Sequence, residues 1–224
     1  MKKVAFVLTL LLAFSTLAFA GQFYASNFEN DAIGSSPSGW ELGFVGAGNG
    51  LVVADPLDPN NQIFAHTDLA MDMARHDVGG NVWVVSGLEA SDYIIEYDAY
   101  FPADFYIGVL FRFVDSETFY LFDRRIGGAP ESPTFDFWRH GEGNWTNVAS
   151  GANFPAAPEQ WYSFRLVIEG DTFKGYAKEK GDTTPFAAME PFIEGSDGTI
   201  EMGKVGLYGL IYIDNMVIGE TEDE

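Results

Sequence analysis

Arg112, Tyr120, Arg124, Asp136, Trp138 and His140 supply, over three consecutive extended segments, the residue types that recognise a sugar. Aromatic rings stack on the C–H faces of a pyranose, and planar donors and acceptors bind its hydroxyls. Side chains alternate along a strand, so Tyr120, Phe122 and Arg124 share one face, as do Asp136, Trp138 and His140. The same alternation pairs Leu110 with Arg112 and sets Phe111, Phe113, Phe119 and Leu121 on an opposite, apolar face. The six residues are therefore expected to face one way and form a ligand-binding surface, with the apolar set as core. The alternative is that Tyr120 and Trp138 are themselves core, with Arg112 held by Glu96 or Asp98 in a structural ion pair.

Glu96 and Asp98 lie two apart in YIIEYDAY and share a face with Ile94. Glycoside hydrolysis needs two carboxylates across one groove, about 5–5.5 Å apart for retention and 6.5–9.5 Å for inversion. These two acids are candidates for the ligand surface; no residue is assigned a catalytic role. His66, His76 and His140 are scattered without the spacing of a zinc site, and there is neither a Gly-x-Ser-x-Gly elbow nor a phosphate loop.

Residues 108–125 carry three of the six, Arg112, Tyr120 and Arg124. Two β-favouring runs, 108–113 and 119–122, flank a polar turn, which predicts a hairpin. Further strands are expected at 23–24, 51–54, 62–66, 81–86, 93–101, 134–140, 145–149, 161–169, 172–179, 203–211 and 212–218. A short helical turn is expected over 69–75. Gly/Pro loops separate the strands, as at Gly34-Ser35-Ser36-Pro37-Ser38-Gly39 and from 127 to 133. About a dozen short strands with almost no helix predict an all-β antiparallel sandwich.

The chain opens with Lys2 and Lys3, an apolar run from Val4, and Ala18-Phe19-Ala20, the pattern of a secretory signal peptide over 1–20 cleaved before Gly21. One domain over 21–219 and an acidic tail over 220–224 follow. The expected location is secreted, periplasmic or extracellular. There are no cysteines, so stability must come from burial, for which 20 Phe, 10 Tyr and 5 Trp provide apolar surface. Twelve Lys and Arg stand against 33 Asp and Glu, a net charge of −21, which argues against nucleic acid and anionic membrane as partners. No stretch after the leader is long and apolar enough to insert in a membrane. The acidity suits solubility in a salty exterior, or divalent-cation binding.

Four segments together resemble the concanavalin A-like jelly-roll family of LamG and laminarinase type, near the secreted 3-keto-disaccharide hydrolase-like modules. They are Phe28-Glu29 with the loop to Gly39-Trp40, GVLFR from Gly108 with Phe119-Tyr120, WYSFR from Trp161 with Gly170-Asp171, and GKVGL from Gly203 with YIDN from Tyr212. The resemblance implies a jelly roll whose concave face carries the six residues above. It also implies a structural Ca²⁺ held by hard oxygen ligands, with Glu29, Asp31 and Asp214 at the matching positions. Laminarinase-type enzymes carry Glu-x-Asp-x-x-Glu, but Tyr100 and Phe101 stand where the last acid should be. The lyase set fails too, because Gln62-Ile63-Phe64 lacks its histidine, although Tyr176-Ala177-Lys178 has the right letters. The expectation is a non-catalytic glycan-binding module with no organic cofactor. A hydrolase or lyase of the same fold is the alternative, and a cell-surface protein-interaction domain the second.

Overall fold

Alternation of apolar and polar side chains sets the strand faces, and antiparallel pairing joins every strand described here. The computed structural model describes residues 21–44, 50–67, 82–102, 107–126, 133–152 and 154–221. The strands are β1 (Gln22–Ser26), β2 (Trp40–Phe44), β3 (Gly50–Ala54), β4 (Gln62–Thr67), β5 (Val82–Val85), β6 (Tyr93–Tyr100) and β7 (Ile107–Asp115). They continue with β8 (Thr118–Ile126), β9 (Pro133–Gly141), β10 (Asn144–Ala152), β11 (Trp161–Glu169), β12 (Thr172–Glu179), β13 (Ile193–Ser196) and β14 (Lys204–Gly219). A single 3₁₀ turn, Phe186–Ala188, is the helical element among the described residues. The turn expected over 69–75, the leader over 1–20 and most of the loop over 127–133 lie outside them.

Two sheets stack into the expected sandwich. In the first, β13, β12, β11, β6 and the C-terminal part of β14 run in that order, with β1 and β4 on the far side of β14 and β3 beyond β4. In the second, the order is β10, β9, β8, β7, the N-terminal part of β14, β5 and β2. β14 therefore belongs to both sheets. Two strands were expected here, over 203–211 and 212–218; one continuous strand of 16 residues replaces them. The chain changes sheets at Gly209, where φ is +82°, a conformation open to glycine at little cost.

Between the sheets lies a core dominated by phenylalanine. Tyr97 stacks on Phe164 at 5.4 Å, Phe122 on Phe135 at 5.4 Å, and Phe111 on Tyr120 at 5.2 Å. Each such ring contributes roughly 1.5–3 kcal/mol by burial alone, which answers the absence of disulfides. A second apolar cluster forms on the face of the second sheet turned away from the first. It contains Val82, Val84, Leu110, Phe113, Phe119, Leu121 and Tyr208, with Trp138 and Trp145 packed against it.

The pairing within the hairpin is where expectation and structure part. β7 and β8 form as expected around Ser116-Glu117, but the register slips between Phe111 and Asp115. Arg112 sits in this bulge with φ +45°, outside the range that L-residues ordinarily adopt. As a result Phe111 faces the inter-sheet core while Leu110 and Phe113 join the outer cluster. The apolar set expected on one face is divided between two.

Candidate functional site

The register of β8 against β9 decides which of the expected residues share a face. Phe119 pairs with His140, Leu121 with Trp138, and Asp123 with Asp136. These six look outward from the second sheet. Tyr120 pairs with Arg139 and Arg124 with Phe135, and they look inward. The expected six-residue surface is thus split: Asp136, Trp138 and His140 stand together, while Arg112, Tyr120 and Arg124 do not join them.

The three inward residues are structural. The Arg112 guanidinium donates to three backbone carbonyls: Ser91 from Nε at 3.0 Å and Nη2 at 2.9 Å, Ile200 at 2.9 Å, and Gly170 at 2.6 Å. Its own backbone N–H donates to the Tyr93 hydroxyl at 2.8 Å. It is 2 % exposed and lies 5.5 Å from the Phe173 ring centroid, so it staples three loops at one end of the sandwich. The Tyr120 hydroxyl donates to Asp197 and accepts from the Ile200 N–H. Burial first, then the Asp197 carboxylate, pushes this phenol up to about 12, so it stays neutral. Arg124 lies over Phe101 at 5.2 Å and donates to the Ala156 carbonyl at 2.6 Å.

The outward face has an aromatic end and an acidic end. The tight turn at Glu142-Gly143 returns the chain so that Trp145 on β10 pairs with His140. The His140 ring lies 5.2 Å from Phe119, nearly parallel, and 4.7 Å from Trp145; Trp138 meets Trp145 edge-on at 6.5 Å. Trp138 and Trp145 are half-buried, whereas His140 is 5 % exposed and its Nδ1 has no hydrogen-bond partner. Four residues along β9, about 13 Å away at strand rise, Asp136 faces Asp123 directly across the ladder. Opposed side chains in an antiparallel pair have Cβ atoms about 4.5–5.5 Å apart, so two carboxyl groups share that end. Asp136 also accepts from the Thr134 hydroxyl at 3.4 Å. Phe119, Leu121, Asp123, Asp136 and His140 are buried on this face, so the half-buried Trp138 and Trp145 are the rings it offers for stacking.

Glu96 and Asp98 are on the opposite side of the molecule, on the outer face of the first sheet. Neither reaches Arg112: Glu96 pairs with Arg165 at 3.3 Å and Asp98 with Lys180 at 3.1 Å. Lys180 also lies 3.6 Å from Asp214 and 4.5 Å from the Trp161 ring centroid. Asn61 donates to Asp214 at 3.1 Å, and Asn215, at φ +50° in a bulge of β14, donates to both Asp98 and Asp214. Burial raises the Asp214 carboxyl above its usual range, with the Asn61 and Lys180 contacts opposing this. The three expected calcium ligands are not drawn into one set. Glu29 accepts from the Gln62 N–H at 2.8 Å, and Asp31 from the Ser38 N–H at 3.1 Å. Among the described residues, no three His, Asp or Glu side chains are grouped to hold a metal.

Sequence reasoning missed Asp123, Phe119 and Trp145 as members of the outward face. Trp145 carried a signal, because a tight Gly turn after His140 puts it opposite that histidine. Asp123 carried one within its strand, since alternation sets it with Phe119 and Leu121, but not across strands, since sharing a face with Asp136 follows from the β8–β9 register.

No family model matches the chain, and no curated protein does. Solved structures do. The carbohydrate-binding module CBM66 from Bacillus subtilis aligns at TM-score 0.55 and 19 % identity, over 82 % of this chain and 96 % of that one. A protein of unknown function with a galectin-like fold, also from Bacillus subtilis, aligns at TM-score 0.57 and 13 % identity, over 91 % and 97 %. Domain 4 of a GH43 extracellular arabinanase from Geobacillus stearothermophilus, in complex with arabinotriose, aligns at TM-score 0.52 and 10 % identity, over 91 % and 94 %. The likeness is one of fold. The β-sandwich expected from the strand pattern is what these structures share with the chain.

Proposed function

We propose that this protein is a carbohydrate-binding module and that the outward face of the second sheet is its binding surface. The observation that carries the reading is the convergence of Trp138, Trp145, His140 and Phe119 with the acids Asp123 and Asp136 on one sheet face. Two of the fold neighbours support it, one named as a carbohydrate-binding module and one solved with arabinotriose. The half-buried tryptophans offer stacking area, and the buried acids lie further along the same face.

A panel of immobilised glycans, probed with the mature protein, tests this directly. Binding to at least one glycan is expected, weakened tenfold or more by Trp138→Ala or Trp145→Ala and unchanged by Trp161→Ala. Binding lost only in Trp161→Ala would move the site to the first sheet, and binding to no glycan would reject the reading. A glycoside hydrolase is the second reading, for which Asp123 and Asp136, opposed across the β8–β9 ladder, are the paired acids to test. Release of reducing ends from a bound glycan, abolished in Asp123→Asn, would favour that second reading over a binding module.

A further inference from the structure

We propose that the chain is cut between Ala20 and Gly21 during export, and that the ammonium freed on Gly21 is clamped by the Glu220 carboxylate. Maturation itself then locks the first strand of the sandwich to the last. The cut has a sequence basis in Ala18-Phe19-Ala20, whose small-x-small pattern suits a signal peptidase. The clamp has a structural one. Gly21 accepts a hydrogen bond on its carbonyl from the Glu220 N–H at 2.8 Å, and the next residues pair as Gln22 with Gly219.

The absence of a side chain at position 21 leaves room for what lies against it. A Cβ at position 21 would stand 2.4 Å from the Glu220 carboxyl carbon and 2.6 Å from each of its oxygens. The carboxylate therefore rests on the Gly21 Cα. Because the nitrogen is one bond from Cα, it lies within about 5 Å of those oxygens. In the uncut chain that nitrogen is a neutral amide. Hydrolysis breaks the C–N bond, gives water's oxygen to the Ala20 carbonyl, and leaves Ala20 as carboxylate and Gly21 as ammonium. A positive charge then appears beside an acid already in place. β1 pairs with β14 over four residue pairs, so a charge clamp at its first residue opposes fraying of a short edge strand.

The test uses the full chain expressed with its leader in a secreting bacterium. Intact mass of the exported protein is expected to correspond to a chain beginning at Gly21; a different first residue would overturn the proposal. Reactivity of the α-amine toward an acylating reagent is then followed against pH by peptide mass. A free α-amine titrates near 7.7–8.0, and Glu220 is expected to raise its proton affinity by about two- to fivefold. Glu220→Gln is expected to return it to the ordinary range. Gly21→Ala, whose Cβ must push the carboxylate aside, is expected to do the same. An amine indifferent to Glu220→Gln would refute the clamp even if the cut is at the stated bond.

Discussion

Replacing Arg112 separates a staple from a ligand-binding arginine. In Arg112→Ala the carbonyls of Ser91, Ile200 and Gly170 lose their donors at a site 2 % exposed. A buried polar group left without its partner costs about 1–3 kcal/mol. Three such groups, with some rescue by water entering the cavity, put the loss at about 3–6 kcal/mol. The Asp92 pair adds little to this, because it is 3.7 Å long and that aspartate is 45 % exposed. Arg112→Lys keeps the charge but not the fork, and is expected to recover less than half of the loss. The assay is urea denaturation, with the midpoint falling and the slope unchanged. Glycan affinity, measured on protein that remains folded, should be unaltered. A loss under about 1 kcal/mol, or glycan affinity reduced tenfold in a folded Arg112→Lys variant, would refute the structural assignment.

Three further predictions follow from the same geometry. Burial alone would raise the Asp197 carboxyl, but hydrogen bonds from Thr199 and Tyr120 and the Arg139 charge outweigh it and hold it below 3.8. Its stabilisation is therefore complete above that value and lost as pH falls through the depressed folded value, so Asp197→Asn should flatten acid unfolding below about pH 4. Asp214 runs the other way: its folded value is raised, so its contribution weakens as pH rises through that value. Lys180→Met removes the ammonium shared by Asp98 and Asp214 and should destabilise by about 1–2 kcal/mol at pH 7, less at pH 4, as read by thermal melts. Gly209→Ala forces a Cβ into φ +82° where β14 changes sheets, and should lose about 1–2 kcal/mol, lowering Tm by several degrees.

Strand identity was legible from alternation, most clearly in β11 and β12, whose limits match the expected 161–169 and 172–179. Those segments carry strict period-2 patterns closed by the Gly170-Asp171 turn. Strand faces were legible only within a strand. Two features hid their combination: the bulge at Arg112, which breaks the parity of β7, and the β8–β9 register. Arg112 itself shows why residue type misleads. An arginine between phenylalanines in a strand reads as a cation on a binding face, whereas its backbone turns it to cap three carbonyls. The split of β14 across two sheets was equally hidden, since its apolar pattern continues through Gly209 without a break.

The tryptophans allow the central claim to be tested on one sample. Trp40 and Trp83 belong to the inter-sheet core, Trp138 and Trp145 to the outward face of the second sheet, and Trp161 to the outer face of the first. Indole N–H resonances followed during titration with a bound oligosaccharide report all five positions at once. Shifts confined to Trp138 and Trp145 are the expected result. Shifts at Trp161 with those two unmoved would contradict the assignment and transfer the binding surface to the opposite sheet.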